Sequence, residues 1–216
     1  MERLICLIIG YICGNVQTAY LMGKQKGIDI REHGSGNAGT TNTLRVLGRK
    51  AGVVVFVTDV LKCAVAIGIS RALFLDDCAD IIYILTLYAA LGAILGHNYP
   101  ALLGFRGGKG MACTAGLMLF YHPRLLVICV STFIIIFLTT HYVSLGSVLV
   151  YVMFVGVMAS LCFTGALGAL TGAQIAEVLV VSVFMAAMAI IRHWTNIKRL
   201  VAGTESKTYL LKKNKQ

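Results

Sequence analysis

Three polar segments of the sequence carry residue types that bind phosphate groups, and the first runs from Gly34 to Arg45. It reads Gly-Ser-Gly-Asn-Ala-Gly-Thr-Thr-Asn-Thr-Leu-Arg and contains no acidic residue. Glycines and asparagines adopt unusual backbone angles, so the N–H groups of such a segment can turn toward an anion while hydroxyls and amides bind its oxygens. The segment also matches GxGxxG, but no βαβ unit surrounds it. A flexible polar loop would also have this composition, but twelve residues without an acidic group that end in Arg45 favour phosphate contact, and dinucleotide binding is not expected.

The second segment begins at Gly96-His97-Asn98-Tyr99-Pro100 and continues as Gly104-Phe105-Arg106-Gly107-Gly108-Lys109-Gly110. It is not a nucleotide P-loop, because that loop needs glycine at 103 and serine or threonine at 110, where this chain has Leu103 and Gly110. Glycines that admit a close ligand, with two cations among them, fit a small phosphate ester. An ordinary interfacial loop would explain the charges but not the glycines.

The third segment, residues 192–205, places His193, Asn196 and Arg199 three residues apart. If the preceding helix continues, these side chains share one broad face and present a titratable ring, an amide and a guanidinium. A basic anchor with Trp194 at the membrane surface explains the same residues. Taken alone, this segment favours the anchor.

The elements that position these segments are apolar runs long enough to be membrane helices. Of the 216 residues, 58% are hydrophobic and 13% charged, against about 45–50% and about 25% in an ordinary soluble domain. A bilayer core about 30 Å thick needs roughly 20 apolar residues as helix. Runs near that length span residues 3–22, 51–73, 79–98, 124–141, 143–164 and 171–191, and a shorter run spans 109–121. The sequence predicts an all-α bundle of about seven transmembrane helices, with six or five as alternatives.

The distribution of basic residues predicts the orientation of this bundle. Fifteen of the nineteen lysines and arginines lie in the stretches 24–50, 97–109 and 192–216, whereas acidic Asp76, Asp77 and Asp80 occupy another connection. Basic connections stay in the cytoplasm. Seven crossings then put the N-terminus outside and both loops and the C-terminal tail in the cytoplasm. The pattern predicts one membrane domain over 1–216.

Charge and composition exclude several other classes of protein and site. The net charge of +10 comes from separate patches rather than a basic, aromatic-rich stretch, so nucleic-acid binding is not expected. The seven cysteines form no CxxC pair, and few acids lie on the cytoplasmic side, so we expect no metal and no cofactor. Asp59 and Lys62, both inside the second run, are predicted to pair with each other.

Taken together, the three segments resemble the motifs of the PlsY family, bacterial membrane glycerol-3-phosphate acyltransferases that use acyl phosphate as donor. The family shows SGNPGATNxxR, GHxxPxxxxFKGGKG and HxxNIxRLxxGxE in this order. The chain matches them from Ser35 to Arg45, from Gly96 to Gly110 and from His193 to Glu205, and its Asp59-x-x-Lys62 and Tyr142-Val-Ser144-Leu145 are also similar. Ala38, Thr40 and Arg106 depart from the family's usual Pro, Ala and Lys, and Gln17 stands where a Pro is frequent.

The resemblance implies transfer of a long acyl chain from acyl phosphate to the 1-hydroxyl of glycerol 3-phosphate, at the cytoplasmic side of the bacterial inner membrane. The implied partners are these two substrates, the lipid bilayer and, as a functional link, an enzyme that supplies acyl phosphate. Either His97 or His193, or a substrate phosphate, would accept the hydroxyl proton. The implied catalytic residues are Ser35, Arg45, His97, Lys109, His193 and Asn196. The implied substrate-binding residues are Gly36, Asn37, Thr41, Asn42, Arg106, Gly107, Gly108, Gly110, Arg199 and Glu205.

The alternative from a different class is a small anion or phosphate transporter. Such a protein also needs cations and glycines near broken helices. Against this alternative, the sequence shows no internal repeat, and the candidate residues gather on one predicted side of the membrane.

Overall fold

The computed structural model of the protein describes residues 1–209, and the regular secondary structure in that range is helical, as predicted. The ten α-helices there are α1 (Glu2–Gly14), α2 (Thr18–Gln25), α3 (Thr40–Leu47), α4 (Arg49–Phe74), α5 (Ile82–Asn98), α6 (Met111–Tyr121), α7 (Pro123–Thr140), α8 (Val143–Phe163), α9 (Gly172–Arg192) and α10 (Trp194–Val201). Lys212, Lys213 and Lys215 of the predicted basic tail lie outside the described residues.

Six helical segments within residues 1–209 are long and apolar enough to cross a membrane. They are Glu2–Gln25, Arg49–Phe74, Ala79–Leu103, Pro123–Thr140, Val143–Phe163 and Gly172–Arg192. These segments correspond to the six long runs of the sequence. The shorter run is α6, whose 11 residues rise only about 16 Å at about 1.5 Å per residue, against a core of about 30 Å. A seventh crossing and the orientation of the termini stay predictions.

The helices cluster in two compact units, one comprising residues 1–120 and the other beginning at residue 121. The first unit contains α1 to α5 and nearly all of α6, and the second contains α7 to α10. Each unit is described by itself. The single membrane domain over residues 1–216 stays a prediction.

Helices α1 and α5 form the tightest contact of the first unit because glycines let their backbones touch. A Cβ added at Gly10 would overlap the carbonyl of Ala89, and one added at Gly14 would overlap the carbonyl of Ala93. From the other side, a Cβ at Gly96 would overlap the carbonyl of Tyr11. Small residues give membrane helices this close approach. The contact continues to the end of α5, where the Gly96-His97 motif begins.

Helix α4 separates an apolar outer face from a buried polar face. Val57, Leu61 and Val65, spaced by four residues, are each more than 40% exposed, as expected of side chains that face lipid. Asp59 and Lys62 lie on the opposite face and are buried. The cost of placing charges in a membrane helix directs them toward protein, so α4 presents both charges to the interior of the first unit.

The second unit is built around α8, which packs against α7 and α9. Its inward residues Tyr151, Phe154, Met158 and Leu161 are almost completely buried. After α10 the chain returns to the start of α8, where the Thr208 N–H donates to the carbonyl of His141 at 2.9 Å. This return brings the end of the third motif beside Ser144.

Candidate functional site

The first loop, residues 24–50, is organised by the side chain of Asn42. Its amide nitrogen donates to the carbonyls of Ile30 at 3.1 Å and His33 at 2.9 Å. Its amide oxygen accepts from the backbone N–H of Ser35 at 2.8 Å. Because both ends of this buried amide are engaged, Asn42 shapes the loop rather than reaching into solvent.

The shape of this loop leaves several predicted site residues accessible at its surface. Ser35 and Gly36 are exposed, and Asn37 and Thr41 are partly buried. Gly36 has a φ of +70°, a left-handed angle that glycine adopts without strain. The turn therefore depends on glycine where the motif has it.

Arg31 joins the first loop to the second loop, residues 97–109. Its guanidinium forms an ion pair with Asp29 at 2.7 Å and donates through Nη1 to the carbonyl of Leu103 at 3.1 Å. The hydrogen bond from Arg31 lowers the pKa of Asp29 to about 2. From the sequence, Arg31 was counted only as a cytoplasmic charge, because the carbonyl of Leu103 to which it donates lies 72 residues away.

The other cations of the two loops differ from Arg31 in their partners. Arg45 lies in the last turn of α3 and Arg106 is exposed. Within residues 1–209, neither arginine forms an ion pair with a carboxylate. Lys109 is partly buried and makes contacts within the protein. Arg45 and Arg106 therefore keep charges that suit a bound anion.

The glycines of the second motif pack directly on the end of α5. The N–H groups of Gly107 and Gly108 donate to the carbonyls of Asn98 at 3.2 Å and His97 at 3.1 Å. A Cβ at Gly108 would overlap Nε2 of the His97 ring, and one at Gly107 would overlap the carbonyl of His97. Gly110 has a φ of +79° and precedes the start of α6. This close packing requires glycine at positions 107 and 108 and so explains these residues, which an ordinary interfacial loop would not need.

His97 meets the charged pair of α4 inside the first unit. Nζ of Lys62 lies 2.8 Å from Oδ1 of Asp59, which confirms the predicted pair, and 2.8 Å from Nδ1 of His97. Nδ1 of His97 lies 3.4 Å from the same Asp59 oxygen. All three residues are at least 93% buried. The contact of His97 with this pair was not predicted from the sequence. The signal available there was a charged pair inside an apolar run, which indicates that the pair faces other protein groups.

A metal ion could be held in the first unit by Asp59, His97 and Cys113, whose ligand atoms lie within 4.8 Å of one another. The ammonium of Lys62 already contacts two of these three residues. A cation bound there would compete with Lys62, so the residues fit a metal poorly.

Gln17 supports the break between α1 and α2. Its amide nitrogen lies 3.2–3.3 Å from the carbonyls of Gly14, Gly96 and His97. A proline, frequent at this position in the resembled family, has no such donor. In this chain the glutamine therefore supports the break between the helices through hydrogen bonds, one of them to the carbonyl of His97.

The third motif is held together in the second unit by Glu205. Its carboxylate accepts from Ser144 Oγ at 2.8 Å, Asn196 Nδ2 at 2.6 Å and Arg199 Nε at 2.7 Å. Burial would raise the pKa of Glu205, but these three hydrogen bonds outweigh it and hold the pKa below its usual value. Glu205 thus neutralises Arg199, and we interpret it as a structural centre of this motif rather than a group that faces an anion.

The helix expected to continue through the third motif is interrupted at His193, where α9 ends and α10 begins. Nδ1 of His193 lies 2.8 Å from the carbonyl of Ala189. A carbonyl only accepts, so Nδ1 carries a proton and Nε2 of a neutral ring is the acceptor nitrogen. Asn196 and Arg199 still share a face, since both reach Glu205.

The predicted site residues fall in both units. In the first unit, Arg31 joins the two loops that carry the first and second motifs, and Gln17 and the glycine packing hold the second motif at His97. The second unit brings together His193, Asn196, Arg199 and Glu205 and adds Ser144.

Comparison with known proteins agrees with these motifs. The family model described as glycerol-3-phosphate acyltransferase matches residues 4–203. A glycerol-3-phosphate acyltransferase of Clostridioides difficile (strain 630) is 42% identical over 94% of both chains. One of Bacillus cytotoxicus is 40% identical over 98% of both chains. The chain belongs to the glycerol-3-phosphate acyltransferase family.

Solved structures of this family also match the fold. The crystal structure of PlsY (YgiH), an integral membrane glycerol 3-phosphate acyltransferase, in its glycerol 3-phosphate form has a TM-score of 0.80 and 32% identity over 98% of both chains. The lysophosphatidic acid form of that protein has a TM-score of 0.77 at 32% identity, over 98% of this chain and 97% of that one. The predicted family is confirmed, and this chain is a membrane acyltransferase. The transporter alternative is not favoured.

Proposed function

We propose that this acyltransferase moves a long acyl chain from acyl phosphate to the 1-hydroxyl of glycerol 3-phosphate, giving lysophosphatidic acid and inorganic phosphate. The observation that carries the proposal is the pair Arg45 and Arg106. These cations lie on the two loops that Arg31 joins, and no carboxylate in the described part of the chain neutralises them. Two anionic substrates need such charges.

The reaction needs little more than positioning and charge stabilisation. The glycerol hydroxyl oxygen attacks the carbonyl carbon of the mixed anhydride, and a tetrahedral oxyanion forms. Its collapse breaks the bond between the carbonyl carbon and the phosphate oxygen, and phosphate leaves with the electron pair. Because phosphate is a good leaving group, neither a covalent enzyme intermediate nor a metal is required. Holding the two substrates together and stabilising the oxyanion supply the acceleration.

The first unit is proposed to bind phosphate groups. Arg45, Arg106 and Lys109 supply positive charge, and the exposed hydroxyl of Ser35 and the amide of Asn37 bind substrate oxygens. The exposed backbone of Gly36 allows a phosphate ester to approach closely. Gly107, Gly108 and Gly110 contribute by letting the second loop pack against α5, which positions Arg106 and Lys109. Thr41 adds a hydroxyl on the first turn of α3.

For the third motif, which lies in the second unit, the catalytic roles that the resemblance implies stay a proposal. With a proton on Nδ1, Nε2 is the nitrogen of a neutral His193 ring that is able to accept a hydroxyl proton. A substrate phosphate oxygen can take the same proton. Asn196 and Arg199 are oriented through Glu205.

The predicted setting of the reaction follows from the positive-inside pattern. Both loops and the C-terminal tail are proposed to face the cytoplasm of a bacterial cell, in its inner membrane. Acyl phosphate is a reactive anhydride that water hydrolyses, so it has to be made close to where it is used. The proposed functional partner is therefore an enzyme that makes acyl phosphate.

A comparison of acyl donors tests the proposal. The purified chain in lipid would be offered palmitoyl phosphate, palmitoyl-CoA or palmitoyl acyl carrier protein, each with glycerol 3-phosphate and without metal. We expect lysophosphatidic acid from palmitoyl phosphate alone. Product from palmitoyl-CoA or the carrier protein at a comparable rate would refute the donor assignment.

A further inference from the structure

Two apolar side chains are exposed on the second loop, just beyond the end of α5. Leu102 is 85% exposed and Phe105 is 61% exposed, and the exposed Arg106 follows directly. Exposed apolar residues on the long helices face lipid, whereas a loop in water would leave these two side chains wet, which is unfavourable in proportion to their apolar area. The segment 100–106, here called the loop tip, therefore needs an apolar cover.

Hydrogen bonds fix the shape of the loop tip. The carbonyl of Pro100 accepts from the N–H groups of Leu103 at 3.1 Å and Phe105 at 2.9 Å. The N–H of Ala101 donates to Oδ1 of Asn15 at 2.9 Å. The exposed side chains are thus presented by a turn whose backbone groups are bonded to the first unit.

Phe105 exposes its ring from a strained backbone. Its φ is +59°, in the left-handed region, and within residues 1–209 only one other non-glycine residue has a positive φ. This conformation is unfavourable for an L-residue and persists where the surroundings fix it, often at a functional site. An exposed ring on such a residue is better explained by a contact outside the chain than by packing inside it.

The length of α5 places the loop tip at the membrane surface. Helix α5 has 17 residues, which rise about 26 Å at about 1.5 Å per residue, slightly less than a hydrocarbon core of about 30 Å. The short 3₁₀ turns on either side of it complete the apolar segment Ala79–Leu103. The loop tip therefore begins where the hydrocarbon core ends, a depth at which apolar side chains enter lipid while a cation lies among the headgroups.

We propose that the loop tip is a membrane anchor, in which Leu102 and Phe105 insert between the lipids of the adjoining leaflet and hold Arg106 at the depth of the lipid phosphates. The bilayer surface is the partner because two exposed apolar side chains beside a cation complement an anionic amphiphile. No carboxylate in the described part of the chain neutralises Arg106. The consequence for catalysis, that the anchor keeps this loop beside the acyl phosphate in the bilayer, rests on the proposed function.

Fluorescence quenching in lipid tests the insertion without any reaction. Trp194, the single tryptophan of the chain, would be replaced by phenylalanine, and Leu102→Trp and Phe105→Trp would be made separately in this background. Because both side chains are exposed, a larger ring displaces no packed neighbour. Glu32→Trp is the matched control, since Glu32 is charged and exposed on the first loop. Each protein would be placed in vesicles of phosphatidylcholine brominated on its acyl chains near the headgroup, with iodide in the water as a second quencher.

We expect brominated lipid to quench both loop-tip tryptophans several-fold more than the tryptophan of Glu32→Trp, and iodide to act in the reverse order. Quenching of the loop tip by iodide alone would place it in water and overturn the anchor. Quenching by neither agent would mean that protein covers the loop tip, for example a second copy of this chain, and would overturn it as well.

Phe105→Ser tests the consequence for catalysis, with Leu73→Ser as the matched control. Leu73 is also exposed and apolar but lies near the end of α4 that leads into α5, away from the loop tip. We expect Phe105→Ser to lower kcat/KM on the order of tenfold, because an inserted aromatic ring contributes at least about that factor to the anchor. Phe105→Leu, which stays apolar, and Leu73→Ser should keep the wild-type value. Wild-type kcat/KM in Phe105→Ser, or an equal loss in Phe105→Leu, would overturn the role of the anchor in catalysis.

The two tests separate this inference from the proposed function. If brominated lipid quenches the loop-tip tryptophans but the wild-type protein transfers no acyl group, the proposed function fails and the anchor stands. If the protein transfers the acyl group and iodide alone quenches these tryptophans, the inference fails and the proposed function stands.

Discussion

The arginines of the first unit differ in what balances their charge, and this difference separates their roles. Arg31 is held by Asp29 and joins two loops, whereas Arg45 and Arg106 have no carboxylate partner within residues 1–209. A cation already paired with a carboxylate gains little from an additional anion. We therefore expect loop stability to depend on Arg31 and substrate affinity to depend on Arg45.

Arg45→Ala tests the phosphate contact directly, with Arg49→Ala as control. Charge-assisted hydrogen bonds contribute about 1.5–3 kcal/mol, which corresponds to a loss in kcat/KM on the order of 10–100-fold. Lys109→Ala should have a similar effect. Arg49 is exposed at the start of α4, and its loss should have little effect. Near wild-type turnover by folded Arg45→Ala protein would remove the arginine from the site.

Glu205 offers a prediction that depends on pH. Since its folded-state pKa lies below the usual value, the stabilisation is complete above the unfolded pKa of about 4.3 and is lost as the pH falls through the folded value. Glu205→Gln should lower the Tm at pH 7, and the difference from wild type should shrink as the pH falls below about 4.3 toward pH 3. Thermal denaturation of both proteins in one detergent at both pH values is the measurement. An equal difference at both would show that the charge is not responsible.

Residue types predicted much of the candidate site, but not the partners of each residue. Glycines with cations indicated phosphate binding, and Asp59 and Lys62 were expected to pair. The contact of Lys62 with His97, 35 residues away, and that of Glu205 with Ser144, 61 residues away, have no local signal. Such contacts depend on how helices pack, which the spacing of residues along one helix does not determine.

At the scale of elements, hydropathy predicted the long helices because the bilayer sets their length. The run 51–73 corresponds to α4 (Arg49–Phe74) and the run 143–164 to α8 (Val143–Phe163). The break between α1 and α2 was missed because the run 3–22 is apolar on average, although Asn15, Gln17 and Thr18 at the break are polar. Helix α3 was also missed, because it is short and polar and lies inside a loop.

Glycine at the contact of α1 with α5 is a second testable feature at this scale. A methyl group at Gly14 would overlap the carbonyl of Ala93, whereas a methyl group at Gly68, within α4, meets no atom within 4 Å. Overpacking costs about 1–3 kcal/mol, while alanine gains up to about 1 kcal/mol of helix propensity over glycine. We expect Gly14→Ala to lower the Tm and Gly68→Ala to leave it equal or higher.

Both variants replace a helical glycine with alanine, but only the methyl group of Gly14→Ala lacks space. Thermal denaturation of both variants in detergent would decide the point. If Gly14→Ala proved as stable as Gly68→Ala, the close approach of α1 and α5 would not be a source of stability.

At the scale of the whole molecule, the orientation in the membrane is open to a direct test. The positive-inside pattern places Glu32 in the cytoplasm and Asp76 outside, and both residues are exposed. In a cysteine-free background, Asp76→Cys should react with a membrane-impermeant maleimide added to spheroplasts, and Glu32→Cys should react only after lysis. If Glu32→Cys reacted in spheroplasts and Asp76→Cys only after lysis, the predicted orientation would be wrong and the loops would lie outside.

The central claim is that the glycerol 3-phosphate oxygen attacks the carbonyl carbon of acyl phosphate, and oxygen-18 tests it most directly. The purified chain in lipid would receive unlabelled palmitoyl phosphate together with glycerol 3-phosphate that carries oxygen-18 in its 1-hydroxyl. The masses of the products would be measured by mass spectrometry. The account predicts lysophosphatidic acid with the label in its ester bond and an equal amount of unlabelled phosphate. Label bonded to phosphorus, or no lysophosphatidic acid from folded protein, would contradict it.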